Sequence, residues 1–245
     1  MNELDSPERL SYIRKVIEKK KPLQTFYREV YRKYNDTLKT CPTDGMALEL
    51  GSGGGFIKEV IPEIITSDVI PYAGIDRVIN AMELPFNNDS IRFIAMMDVI
   101  HHLPNVRKFF DEANRCLKKN GKIFIVDQYY SWVTYPLYKF LHHEPMAPKA
   151  SKWEFESTGP LSDANAALAW IVFERDRKIF ETLYPNLRIN KIQHHSPIRY
   201  WITGGMKNWT LMPNWSYSGF KLFDGMLCKI SNRFASFIDI EIEKI

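Results

Sequence analysis

Cysteine is scarce in this chain of 245 residues, which has three. Cys41, Cys116 and Cys228 stand far apart and form no CxxC pair, so neither a disulfide framework nor a zinc knuckle follows. No run of about 18 apolar residues occurs, so no spanning helix is expected. The opening stretch Met1-Asn2-Glu3-Leu4-Asp5 is polar and acidic, without the basic-then-apolar order of a signal peptide. Charge of one sign is also missing. Lys and Arg number 33 against 29 Asp and Glu, and the excess of +4 lacks the clustered basic footprint of a duplex binder. These absences make a reduced, cytoplasmic setting the expected one, with no nucleic-acid partner. What is present is ordinary for a globular protein: 45% hydrophobic and 25% charged residues, enough for one domain over 1–245.

Residues 1–40 read as an N-terminal helical cap in two pieces. Leu10, Ile13 and Ile17 share one stripe; after Pro22, Leu23, Phe26, Tyr27, Val30, Tyr31 and Tyr34 repeat the three-four spacing. Lys19-Lys20-Lys21 reads as a solvated helix end. Over 41–130, strands are predicted at Met46–Leu50, Ile64–Asp68, Ile75–Asn80, Ile91–Met97 and Lys122–Val126. Between them come a short helix from Phe56 to Ile61 and an amphipathic one from Val106 to Leu117, closed by Lys118, Lys119 and Gly121. Such alternation argues for crossover units and a parallel sheet.

Over 131–245, Ser162 is a candidate cap for a helix reaching Leu183. Leu187–His195 and Phe237–Lys244 read as strands, the second alternating Ile238, Ile240, Ile242 with Asp239, Glu241, Glu243. They suggest a closing antiparallel pair. The aromatic insertion 197–232 between them is read as a folded cap, in preference to a membrane-contacting surface.

The central signal is Glu49-Leu50-Gly51-Ser52-Gly53-Gly54-Gly55 at a strand end. Glycines at 51, 53 and 55 let the backbone turn sharply and approach a ligand. A dinucleotide site would place its last glycine at 56, which is Phe56, and no P-loop lysine is present. The loop therefore suits a nucleoside ligand without a phosphate chain.

Further segments come in order along the chain: Asp68 at the second strand end; Asn80-Ala81-Met82-Glu83-Leu84-Pro85-Phe86; Asp98-Val99-Ile100-His101-His102-Leu103-Pro104; and Lys118-Lys119-Asn120-Gly121-Lys122. With the glycine loop, they resemble the class I S-adenosylmethionine-dependent methyltransferases, especially their small-molecule, type-11-like group, over about residues 46–130. The resemblance implies an α/β, doubly wound, mostly parallel seven-stranded sheet of Rossmann-like form. N-terminal helices would precede it, and a helical, aromatic insertion would come before the last strand. It also implies S-adenosyl-L-methionine as cofactor, held by Glu49, Gly51, Ser52, Gly53, Gly55, Asp68, Asn80, Ala81, Met82, Asp98 and Val99, with Asp68 on the ribose hydroxyls. Asn80 departs from the family's usual Asp, so an amide oxygen would meet the adenine amino group. The short span from loop to Asp68 implies a trimmed first helix.

The acceptor expected is a small molecule, with an apolar or lipid-linked one open. His101 and His102 are candidate general bases, and Tyr129, Tyr130, His142 and His143 acceptor-side residues. His142-His143 and His194-His195 show no Asp, Glu or Cys at convincing ligand spacing, so no metal is expected. RNA methylation is the alternative, opposed by Met97-Asp98-Val99-Ile100 where an N-P-P-Y type motif would stand; a non-catalytic cofactor-binding or scaffold role is the other. Oligomeric state is not legible.

Overall fold

The computed structural model describes residues 5–245, so Met1–Leu4 of the acidic opening stretch lie outside the described residues. Ser6 caps α1 (Pro7–Lys19), its side chain accepting from the Arg9 N–H at 3.2 Å, with Pro7 where a missing donor does no harm. α2 (Lys21–Leu38) buries all six of its predicted stripe residues.

Among the described residues seven strands form one sheet: β1 (Met46–Leu50), β2 (Ile65–Asp68), β3 (Arg77–Val78), β4 (Ile91–Met97), β5 (Leu117–Gln128), β6 (Leu187–His195) and β7 (Phe237–Lys244). Their order is β3-β2-β1-β4-β5-β7-β6. The first five run parallel, and β7 lies antiparallel to both β5 and β6. The doubly wound sheet and its closing antiparallel pair are thus as expected. The order reverses between β1 and β4, and the crevice beyond their carboxyl ends is where such sheets take ligands.

α2 packs on one face, where Phe26 and Tyr34 meet Phe93, Phe124 and Phe237. α3 (Val106–Cys116) packs on the other, where Phe109 and Phe110 meet Ile94 and Phe180. β4, flanked on both sides, is buried at every residue but Arg92.

After β5 come α4 (Thr134–Leu141) and α5 (Leu168–Trp170). A π-helical turn over Ile171–Arg175 leads into α6 (Arg177–Leu183). The insertion before β7 holds α7 (Arg199–Ile202) and α8 (Tyr217–Ile230). It is half cap and half surface: Tyr200, Met212 and Tyr217 are buried, whereas Leu211, Trp215, Leu222 and Ile230 are exposed. No helix among the described residues is long and apolar enough to cross a membrane.

Several local expectations are corrected. The helix predicted at Phe56–Ile61 is one 3-10 turn, Ile57–Glu59, and the third strand is two residues long. Lys118, Lys119 and Gly121 do not close α3. Leu117 is already paired with Ile91, and Lys118 reaches Asp44, so this segment is a bulged entry to β5. Ser162 caps no helix; it bonds the Asp5 carboxylate, and helical structure begins only at Leu168. Asp239 is not on a solvated face, because α2 covers the start of β7.

Lys20 is also corrected. Lys19 and Lys21 are exposed, but Lys20 is buried at the α1–α2 corner. Its ammonium donates to the carbonyls of Thr203 (2.7 Å), Lys207 (3.0 Å), Trp209 (3.3 Å) and Gly205, stitching the N-terminal helices to the loop after α7. Burial pulls its pKa down to about 8, which leaves it charged at neutral pH. Lys20→Met strands those carbonyls, and is expected to cost about 2 kcal/mol and lower the unfolding midpoint by roughly 4–8 °C. Calorimetric melting checks this; an unchanged midpoint would show the carbonyls satisfied by other means.

Candidate functional site

A cavity of about 550 Å³ opens beyond the ends of β1, β2 and β4. All eleven predicted cofactor residues line it: Glu49, Gly51, Ser52, Gly53, Gly55, Asp68, Asn80, Ala81, Met82, Asp98 and Val99. His101, His102, His142 and His143 line it too.

Close approaches to neighbouring chain shape the glycine loop. Gly51 has φ +68°, and a Cβ there would stand 2.3 Å from Val99 Cγ2. At Gly54 a Cβ would meet the Arg14 backbone nitrogen at 2.6 Å, because α1 lies directly on the loop. Ser52 fastens the loop to β2: its N–H donates to Ser67 O at 2.8 Å and its hydroxyl accepts from the Ser67 N–H at 3.1 Å.

Two carboxylates close the neighbouring strand ends. Asp68 accepts from the Gly53 N–H at 3.0 Å and the Ile70 N–H at 3.1 Å. Burial raises its pKa and those amides oppose the rise. A carboxylate offers about four acceptor positions, more than these amides fill. Glu49 is 3% exposed, and its Oε2 has no hydrogen-bond partner among the described residues. Burial first, with Asp68 adding repulsion and Ser52 opposing, pushes Glu49 up to about 7. Asn80 accepts from the Met82 N–H at 3.0 Å, a side-chain turn that leaves its oxygen one further lone pair.

The end of β4 is strained: Asp98 has φ +54°. Its carboxylate accepts from Gln128 Nε2 at 2.9 Å. Burial and the Asp127 carboxylate raise its pKa. Asp127 organises the turn beyond Asp98. It accepts from the Val99 and Ile100 N–H groups at 3.1 and 3.0 Å and meets His101 Nδ1 at 2.6 Å. Burial alone would lower the His101 pKa; Asp127, Glu144 and Asp98 outweigh it and bring it to about 9. His102 goes the other way, to about 4, through burial and the neighbouring imidazole.

Tyr129 and Tyr130 stand outside the cavity lining. Tyr129 donates to Glu174 at 3.0 Å and packs on His194; Tyr130 packs on Trp170 and Tyr135. The last residue of β5, Gln128, faces the cavity, and the chain turns the two tyrosines away from it. The rings that do line it are Tyr27, Tyr31, Tyr138, Tyr200 and Trp201. Glu144 was missed altogether, although it directly follows His142-His143. It lines the same cavity.

A family model described as a methyltransferase domain matches residues 23–180. This chain belongs to the methyltransferase domain family. The methyltransferase domain spans α2 to α6 and so contains every predicted cofactor residue. A curated relative, "Uncharacterized methyltransferase YcgJ" of Bacillus subtilis, is 29% identical over 108 residues, covering 36% of this chain and 43% of that protein. The matched region is thus less than half the length of that relative. Its crystal structure is 16% identical, covers 87% of this chain and 98% of that one, and superposes with TM-score 0.47. Geranyl diphosphate C-methyltransferase from Streptomyces coelicolor, solved with S-adenosyl-L-homocysteine, is 14% identical over 88% of this chain and 76% of that one, with TM-score 0.47.

Proposed function

We propose that this protein transfers a methyl group from S-adenosylmethionine to a small-molecule acceptor. The observation that carries this reading is the pair of buried carboxylates, Glu49 and Asp68, facing one cavity with unused acceptor positions. A cavity of about 550 Å³ suits a small ligand, since such sites run from ~300 to 1,000 Å³.

When bound, S-adenosylmethionine supplies a methyl group already made electrophilic by its sulfonium. Asp68 would hold the ribose hydroxyls with its remaining acceptor capacity, and Asn80 would meet the adenine amino group with its remaining lone pair. The glycine loop admits the ligand close to the backbone, where a side chain at Gly51 would strike Val99. Glu49 attracts the ligand's positive charge. The acceptor sits under Tyr138, Tyr200 and Trp201, which keep water out and favour an apolar body. His102 lies within the same lining, and its pKa of about 4 leaves the imidazole neutral and only weakly basic.

Calorimetric titration tests the reading. S-adenosylmethionine and S-adenosylhomocysteine are expected to bind with one-to-one stoichiometry and NAD not at all. A folded protein that binds neither sulfur ligand would sink the proposal.

The same titration has a pH signature. Below about pH 7 Glu49 is protonated; above it the carboxylate is charged and favours a cation. S-adenosylmethionine affinity is therefore expected to rise about tenfold from roughly pH 6 to 8, at about one decade per pKa unit. Glu49→Gln should flatten that dependence. An equally steep profile in the variant would assign the titration to another group.

A further inference from the structure

Four imidazoles surround one carboxylate at the acceptor end of the cavity. His101 Nε2, His102 Nε2 and His143 Nε2 stand 3.6 Å from Glu144, and His142 Nδ1 stands 3.7 Å away. Among the described residues no side chain donates a hydrogen bond to that carboxylate, although it is largely buried. A buried carboxylate ordinarily takes hydrogen bonds from such neighbours. Here each nitrogen stops short of one.

We propose that His101, His102 and Glu144 form a binding site for one divalent transition-metal ion. The ligand atoms of these three residues lie within 4.8 Å of one another. An ion about 2.1 Å from each ligand atom holds neighbouring ligand atoms roughly 3.0–3.4 Å apart. The 3.6 Å separations are a few tenths of an ångström wider than that, and too wide for hydrogen bonds.

The outer partners fix the tautomers. His101 Nδ1 is engaged by Asp127 Oδ1 at 2.6 Å, and His102 Nδ1 by the Asp163 carbonyl at 3.2 Å. Both partners are acceptors, so each ring keeps a proton on Nδ1 and presents Nε2 to Glu144, where a bound metal takes the place of any proton on that nitrogen. A carboxylate or carbonyl behind each imidazole is the usual outer shell of a histidine-ligated metal. Three carboxylates, from Asp98, Asp127 and Glu144, crowd His101, and a dication balances them.

His142 and His143 fit less well. His142 Nδ1 already accepts the Glu144 N–H at 3.3 Å, and the His143 side chain is 55% exposed. Two imidazoles with one carboxylate favour the zinc and iron class over magnesium or calcium, which prefer oxygen ligands throughout. Three protein ligands leave a position open. On the methyl-transfer reading, on which this use alone rests, that position takes an oxygen or nitrogen atom of the acceptor.

The test uses the whole chain stripped of metal and titrated with Zn²⁺ against a chromogenic chelator. One equivalent is expected to bind. Asp127→Asn should weaken it about 10- to 100-fold, as loss of an outer partner does, and Glu144→Gln and His102→Ala by more. His143→Ala should leave it within about threefold by the same measure. Absence of saturable binding, or wild-type affinity in His102→Ala, overturns the site. A loss in His143→Ala equal to that in Glu144→Gln overturns it in favour of the other histidine pair. Co²⁺ loading of the wild-type protein needs no variant: intense visible bands support an inner-sphere site, and the weak spectrum of the hydrated ion refutes it. Titration of the metal-free protein with S-adenosylhomocysteine reports on the cofactor region separately.

Discussion

Asp68→Ala is expected to weaken S-adenosylhomocysteine binding by at least about 100-fold, because two hydrogen bonds to a charged acceptor contribute ~1.5–3 kcal/mol each. The side chain does two things at once. One acceptor position on each oxygen fixes local backbone, through the Gly53 and Ile70 N–H groups. The remaining positions face the cavity. Asp68→Asn separates the two roles, since it keeps one carbonyl oxygen for the ribose and loses the charge. Its affinity should fall between wild type and the alanine variant. Circular dichroism establishes that each variant is folded, and calorimetry then gives the dissociation constants. A folded Asp68→Ala protein with affinity within a few-fold of wild type would remove Asp68 from the site.

Asp239→Ala is expected to be the most destabilising single change proposed for this chain, at about 3 kcal/mol or more. Asp239 is 2% exposed. One oxygen takes the Lys33 ammonium of α2 at 2.6 Å, and the other meets His195 Nε2 of β6 at 2.7 Å. Removing it leaves a buried imidazole and a lysine without their shared acceptor. Lys33 is about a third exposed, so its part of the loss is moderated by water. Burial opposes ionisation of Asp239, yet His195 and Lys33 hold its pKa down to about 2, below the ordinary 3.8. The stabilisation is therefore complete above about pH 4 and disappears as the pH falls through 2. Burial also lowers the His195 pKa below 6.5. The unfolded chain then binds the extra proton as the pH drops below about 6.5, and stability falls in the same direction. Urea unfolding at several pH values should show a shallower acid limb in Asp239→Ala than in wild type. Parallel limbs would place the acid sensitivity elsewhere.

The strands β1, β4, β6 and β7 fall where the sequence places them, because β1 and β4 are short apolar runs and β6 and β7 carry apolar residues spaced along one face. The grouping of Glu49, Gly51, Asp68, Asn80 and Asp98 around one cavity was legible for a similar reason: they sit at or just beyond strand ends, and an ordered sheet brings strand ends together. Covering and long-range contact were not legible. Asp239 alternates like a solvated residue, and only the tertiary position of α2 buries it. Lys20 belongs to a charge run, and only carbonyls nearly two hundred residues away draw it inside. Tyr129 and Tyr130 follow the right strand but turn away from its ligand-facing side. Glu144 lacked any spacing signal toward His101 and His102, since over forty residues separate them and the fold joins them.

Asp5 ties together two pieces of the cavity wall. Its carboxylate accepts from the Leu161 N–H at 2.7 Å and bonds Ser162, two residues before α1 begins. Arg9, Leu10 and Ile13 of α1 wall the cavity on one side, and Ser157–Leu161 wall it on another. One side chain thus couples two covers of the cavity: loss of the Asp5 carboxylate would free α1 and the Ser157–Leu161 segment from each other.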